Sequence, residues 1–192
     1  MGAIGHWIAS AACAQQAHWQ TAGYYLPLAL NLSTRQLLTP DFAQSLPDAP
    51  LFLEFSESAL HHGSALEPGL RPLAQRGFHI GIDNAGLEPL DPNLLATLPL
   101  SYLKLSRALV QDLQDPTSAQ KARHLRELGR ACNLTLIADG VETPEQAQWL
   151  QAEGYEQLQG YLYSRPIAAE ALEEILRSGS HQLPDPPYQR AA

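Results

Sequence analysis

Six polar residues, Asn31, Glu54, Asp83, Lys104, Asp139 and Gln159, each close a short stretch that alternates with a period of two. In residues 78–83, Phe78, Ile80 and Ile82 hold one phase, while His79, Gly81 and Asp83 hold the other. That is the pattern of a buried strand with a polar head at its C-terminal end. Residues 26–31, 51–55, 102–105, 134–139 and 157–159 repeat it. Asn31, Glu54, Asp83 and Asp139 carry the oxygen donors that hard divalent cations take, and Lys104 can stabilise an anionic oxygen or orient a water. Such a set suits phosphate-ester chemistry assisted by Mg²⁺ or Mn²⁺. Each residue also has a plainer reading: Glu54 and Glu57 as loop-edge carboxylates, Lys104 as an ion partner of Asp83, Gln159 as a backbone bonder. The histidines show no ligand spacing; His61 and His62 fall at an exposed helix start and His181 in the tail.

The six heads lie 23, 29, 21, 35 and 20 residues apart, about one strand, one helix and two loops each time. Parallel strands with polar C-terminal ends, separated by helix-sized segments, predict a barrel-type α/β scaffold. The alternative, an open doubly wound sheet, lacks support, because no Gly-rich phosphate turn follows the first strand and the carboxylates are spread over many strand ends. A closed barrel needs about eight strands, and the chain supplies six after an opening helix. The expectation is an incomplete TIM-like (β/α)8 barrel lacking its first two strands, with open edges near residues 26–32 and 158–163. A protein partner or a second copy would have to cover those edges.

Composition narrows the class. With 192 residues, 45% of them hydrophobic, one domain over residues 1–178 is expected, followed by a Pro-rich disordered tail at 179–192. A net charge of −8 argues against a nucleic-acid or anionic-membrane surface. No run of 18 apolar residues and no leader is visible, which predicts a cytoplasmic protein. Cys13 and Cys132 read as reduced core thiols.

Between the strands, Ile4, Trp7, Ile8, Ala11, Ala12 and Trp19 predict an amphipathic opening helix that ends near Gly23. Ser33 or Thr34 can cap a helix to about Leu46, before a loop over 47–50. Residues 65–75 predict a helix weakened by Pro68 and Pro72 and stopped at Gly77. A short helix over 92–97 follows. Residues 107–132 are helical with a break at Asp115-Pro116, where Ser118 or Thr117 could restart the helix. Thr143-Pro144-Glu145-Gln146 reads as a capping box opening a helix that ends at Gly154, and a last helix covers 168–177.

Six segments resemble, in order, the successive motifs of the EAL domain: Asn31-Leu32-Ser33, Leu53-Glu54-Phe55-Ser56-Glu57-Ser58, Ile82-Asp83-Asn84-Ala85-Gly86, Leu103-Lys104-Leu105, Ala138-Asp139-Gly140-Val141-Glu142-Thr143 and Gln159-Gly160-Tyr161-Leu162-Tyr163-Ser164-Arg165-Pro166. That family comprises bacterial cyclic-di-GMP phosphodiesterases and their inactive relatives. The resemblance implies two Mg²⁺ or Mn²⁺ ions and hydrolysis of cyclic-di-GMP to linear pGpG. Asn31, Glu54, Asp83 and Asn84 would then stand at metal-ligand positions. Lys104 and Asp139 would hold the nucleophilic water, Glu57 would brace the loop after Asp83, and Glu142 and Gln159 would support the site.

The departures from that pattern shape the expectation. The chain starts after the Glu-Ala-Leu motif and the arginine beside it. The family's paired aspartates read Asp83-Asn84, which removes a charge from the second metal position. The loop after them has lost its glycine hinge and polar residues, and Asp139 is one methylene shorter than the family's glutamate, where about 1 Å can cost roughly a hundredfold in rate. The expectation is a degenerate domain without useful phosphodiesterase activity, serving as a regulatory or interaction module or as a weak cyclic-di-GMP receptor. The alternative is an active phosphodiesterase whose N-terminal part is encoded upstream.

Overall fold

The computed structural model describes residues 3–39, 42–47 and 51–178. The expected tail at 179–192, with His181, lies outside those residues, as do positions 48–50 of the loop before the second strand and the side chain of Ile4. Among the described residues, six parallel strands form one sheet in sequence order. They are β1 (Ala29–Leu32), β2 (Phe52–Ser56), β3 (His79–Ala85), β4 (Tyr102–Leu105), β5 (Thr135–Ala138) and β6 (Gln157–Leu158). The helices are α1 (Ala3–Thr21), α2 (Thr34–Leu37), α3 (Glu67–Gln75), α4 (Pro92–Thr97), α5 (Arg107–Gln111), α6 (Pro116–Ala131), α7 (Pro144–Glu153) and α8 (Ala169–Ser178).

The period-two alternation sorts the strands into two faces. Leu53, Phe55, Ile80, Ile82, Leu103, Leu105, Leu136 and Ala138 are buried with Leu70, Leu73, Leu95, Leu109, Leu125 and Leu150 of the helices. Each fully buried Leu or Ile contributes about 1.5–3 kcal/mol. A slip of one residue in β2, β3 or β4 would drive Glu54, Asp83 or Lys104 into this layer, so the apolar face fixes the register of the polar one. Pairing runs Asn31 to Glu54, Glu54 to Gly81 and Gly81 to Tyr102.

Among the described residues β1 and β6 each pair with one neighbour, so this sheet has two open edges. Its two ends are nevertheless tied through the first and last helices. Glu173 of α8 accepts hydrogen bonds from Trp19 Nε1 at 2.9 Å and Gln15 Nε2 at 3.3 Å, and His18 lies 3.4 Å away.

Several local expectations need correction. In α1 the buried face is Ala9, Gln16 and Trp19, whereas Trp7 is 69% and Ile8 44% exposed. Helical spacing defines a stripe without saying which side meets the sheet, and a helix beside an end strand has a partner on one side only. The helix expected to run to Leu46 is a single capped turn, α2, followed by a separate 3-10 turn at Phe42–Ser45. Residues Glu57–Leu66 form 3-10 structure broken at Gly63, where φ is +55°. α3 starts after it, with Pro68 in the tolerated first turn and only Pro72 inside, so the helix is whole. Asp115, not Thr117 or Ser118, caps α6; its side chain accepts the Ser118 amide at 2.9 Å, and Pro116 opens the helix. The Thr143–Gln146 capping box and the left-handed stop at Gly154 are present. Cys13 and Cys132 are free and half-buried against the core.

Candidate functional site

Three strand-end residues converge on one point. Lys104 Nζ stands 3.2 Å from Glu54 Oε2 and 3.7 Å from Asp83 Oδ1. Glu54 and Lys104 are nearly buried, at 6% and 7% exposure. Asp83 arrives through a bulge: between Ile82 and Ala85 of β3 the register against β4 slips by one residue. Bulges re-aim side chains, and here Asp83 and Asn84 lie between the paired positions, Asn84 at φ +57°. Asn is among the few residues that accept this conformation. Its Nδ2 donates to Asp83 Oδ2 at 3.2 Å, and the side chain is exposed.

Two carboxylates, Glu54 and Asp83, stand within 4 Å of the Lys104 ammonium, and Asp139 adds its negative charge from farther off. Burial pushes the Glu54 carboxyl above its usual range, and repulsion from Asp83 adds to this against the pull of Lys104. Burial alone would lower the Lys104 ammonium, but Glu54, Asp83 and Asp139 together outweigh it and raise it above the usual lysine value.

The other expected residues are placed as follows. Asn31 lies beside Glu54 in register, on the same face and exposed. Asp139 accepts the Gly140 amide at 2.8 Å. Glu57 is 5% exposed and sits behind the loop after β3, accepting the backbone amides of Gly86 at 2.9 Å and of Leu87 and Glu88 at 3.2 Å. His61 Nε2 lies 3.0 Å from Glu88 Oε2 on that loop. Gln159 is exposed just past the end of β6, its backbone N–H donating to Ala138 O at 2.8 Å. Glu142 is not brought into the cluster; Arg107 at 2.6 Å and Gln111 at 3.1 Å hold it on the rim.

With this geometry in view, the comparisons are decisive. The sequence pattern of the family described as "EAL domain" matches residues 1–166. The chain belongs to the EAL domain family. It is 33% identical over 187 residues to the signaling protein YkoW of Bacillus subtilis, covering 90% of this chain and 23% of that one. It is 28% identical to the cyclic di-GMP phosphodiesterase PdeR of Escherichia coli, over 88% of this chain and 27% of that one. The chain thus spans about a quarter of the length of these curated relatives. Among solved structures, the PaMucR phosphodiesterase in complex with c-di-GMP superposes with a TM-score of 0.83 at 33% identity, over 88% of this chain and 73% of that one. The EAL domain of Mycobacterium smegmatis DcpA gives 0.82 at 31%, over 93% and 86%.

In this EAL chain a cleft of about 180 Å³ opens beside the cluster, lined in part by Glu54, Tyr102, Ile137 and Gln159. Larger grooves beside α6 and α3 hold none of the strand-end residues. Among the described residues no three His, Cys, Asp or Glu side chains gather as a ready-made metal cage. The donors that do gather are two carboxylates and, beside them in register, the Asn31 amide: hard oxygen ligands in an electron-rich cluster. They fit one hard divalent cation, with Lys104 alongside. Beside Asp83 the exposed Asn84 offers an amide, which carries no charge, in place of a carboxylate. Sequence reasoning missed Tyr102, whose hydroxyl donates to Glu54 Oε1 at 3.4 Å, and Gly81, which leaves the space for its ring. The signal was a glycine inside a strand, a mark of close approach.

No helix among the described residues is long and apolar enough to cross a membrane.

Proposed function

We propose that this EAL chain acts in cyclic-di-GMP signalling as a degenerate domain that binds the dinucleotide without hydrolysing it usefully. The observation that carries this reading is Asn84, which donates its amide to Asp83 and leaves a second cation without a carboxylate. Asn31, Glu54 and Asp83 would hold a single Mg²⁺ or Mn²⁺. Such an ion supplies positive charge to a phosphodiester oxygen. Lys104 would stand against the same oxygen as a fixed ammonium, and Asp139 would accept a hydrogen bond from the ligand or its water. Gln159, exposed at the strand end beside the cleft, would contact the ligand.

The test is a thermal melt with and without cyclic-di-GMP in Ca²⁺. Ligand at about a hundred times its dissociation constant should add roughly 2.7 kcal/mol and raise the midpoint. A cooperative transition that does not move would sink the receptor reading and leave protein interaction at the open sheet edges in its place.

A second reading is metal-dependent hydrolysis to pGpG within a longer protein. The intact grouping of Glu54, Asp83 and Lys104 favours it.

A further inference from the structure

Glu54, Gly81 and Tyr102 occupy one row across β2, β3 and β4. Strands two apart are separated by roughly 9.5 Å, so a side chain on β4 reaches one on β2 only if the residue between them leaves the way clear. Gly81 does so. A Cβ at that position would lie 2.1, 2.3 and 2.4 Å from Cε2, Cζ and Cδ2 of Tyr102, inside the ring's own space. The ring is fully buried, its side set by Phe52 at 5.7 Å between centroids, with the planes tilted by 49°. Seated between Gly81 and Phe52, the phenol points its hydroxyl at Glu54 Oε1, 3.4 Å away. Two residues on, the same strand sends Lys104 to the other oxygen, Oε2, at 3.2 Å. β4 therefore grips both oxygens of the Glu54 carboxylate across a strand that has been cleared for the purpose.

We propose that Tyr102 is a positioning residue for Glu54, fixing the rotation of its carboxylate so that the oxygens meet a hard divalent cation in one orientation, with Gly81 as the gap that makes this reach possible. The inference rests on the reading of Glu54 as a cation ligand. A hydroxyl that holds a ligating carboxylate is worth more to the cation than to the fold, because loss of such outer partners characteristically costs 10–100-fold in metal affinity. A phenol serving packing alone would leave that affinity unchanged.

Calorimetric titration of the full chain with Ca²⁺ alone separates these cases, using wild type, Tyr102→Phe and Glu54→Gln. Tyr102→Phe keeps the ring against Gly81 and Phe52. The expected result is a dissociation constant about tenfold weaker for Tyr102→Phe, with a cooperative melt retained, and no measurable binding for Glu54→Gln. Unchanged affinity in Tyr102→Phe, with binding abolished in Glu54→Gln, overturns the role of Tyr102 while leaving the cation reading standing. Absence of any Glu54-dependent binding in the wild type overturns the cation reading and this inference together. Should Tyr102→Phe fail to fold, tyrosine difference absorbance during a Ca²⁺ titration of the wild type serves instead. A change saturating at the calorimetric dissociation constant supports the contact, and a flat signal overturns it.

Discussion

Lys104→Met removes one charge and keeps the length and apolar stem of the side chain. The partner left behind is Glu54, 6% exposed and 3.2 Å from the lost ammonium, with Asp83 a further 3.7 Å contact. Deleting one side of a buried ion pair costs about 3–5 kcal/mol. The cleft beside Glu54 admits water, so the lower end applies, about 3 kcal/mol at neutral pH. For a chain of this size that is roughly a 6–12 °C fall in Tm. The loss should depend on pH. Burial first, then Asp83, hold the Glu54 carboxyl above its usual range against the pull of Lys104. An acid raised in the folded state stabilises the fold below its unfolded pKa and loses that contribution as pH rises through the folded value. Without Lys104 the folded value climbs further. The variant's deficit is therefore small in acid and grows from the usual carboxylate range toward neutrality. Urea denaturation at a series of pH values reads this directly, provided the slope m is unchanged. Adding Glu54→Gln should return most of the loss, since no charge is then left buried. A deficit that is flat with pH, or below about 1 kcal/mol at neutral pH, would refute the coupling.

Three further perturbations test neighbouring parts of the site. Gly81→Ala forces a methyl into the Tyr102 ring and should cost about 1–3 kcal/mol in urea denaturation; a neutral result would mean the strands yield freely there. Glu57→Ala strips the acceptor from three backbone amides and should cost about 3 kcal/mol, with faster hydrogen exchange confined to Gly86, Leu87 and Glu88. Unchanged exchange at those amides would contradict the brace. Asn84→Asp restores a second carboxylate beside Asp83 and should tighten Ca²⁺ binding by about tenfold in calorimetry; equal affinity would show that position 84 does not face the cation.

The polar heads were legible because period-two alternation reports which residues share a face, and Glu54, Asp83 and Lys104 share one because the buried Leu, Ile and Phe opposite them set the register. Spacing alone also indicated six parallel strands. The bulge at Asp83-Asn84 was not legible, since an extra residue in one strand leaves no trace in its own hydrophobic pattern. The orientation of α1 was misread for a related reason. Trp7 and Ile8 form a good apolar stripe, but the side that meets the sheet carries the smaller Ala9 together with Gln16 and Trp19. The capping box at Thr143 could be read in full because its partners are three residues apart; the hold of Glu57 on Gly86, across 29 residues, was reached through the family resemblance, and the reach of Tyr102 to Glu54, across 48, was not reached at all. Contacts that depend on three strands lining up become visible only once the fold is built.

The central claim is binding without useful hydrolysis, and a turnover assay tests it most directly. The full chain is incubated with cyclic-di-GMP and Mn²⁺, and linear pGpG is quantified by chromatography over several hours beside a metal-free blank and Glu54→Gln. No pGpG above the blank is expected from the wild type, although cyclic-di-GMP raises its melting midpoint in Ca²⁺. Accumulating pGpG that disappears in Glu54→Gln would contradict the claim and establish this chain as a working phosphodiesterase.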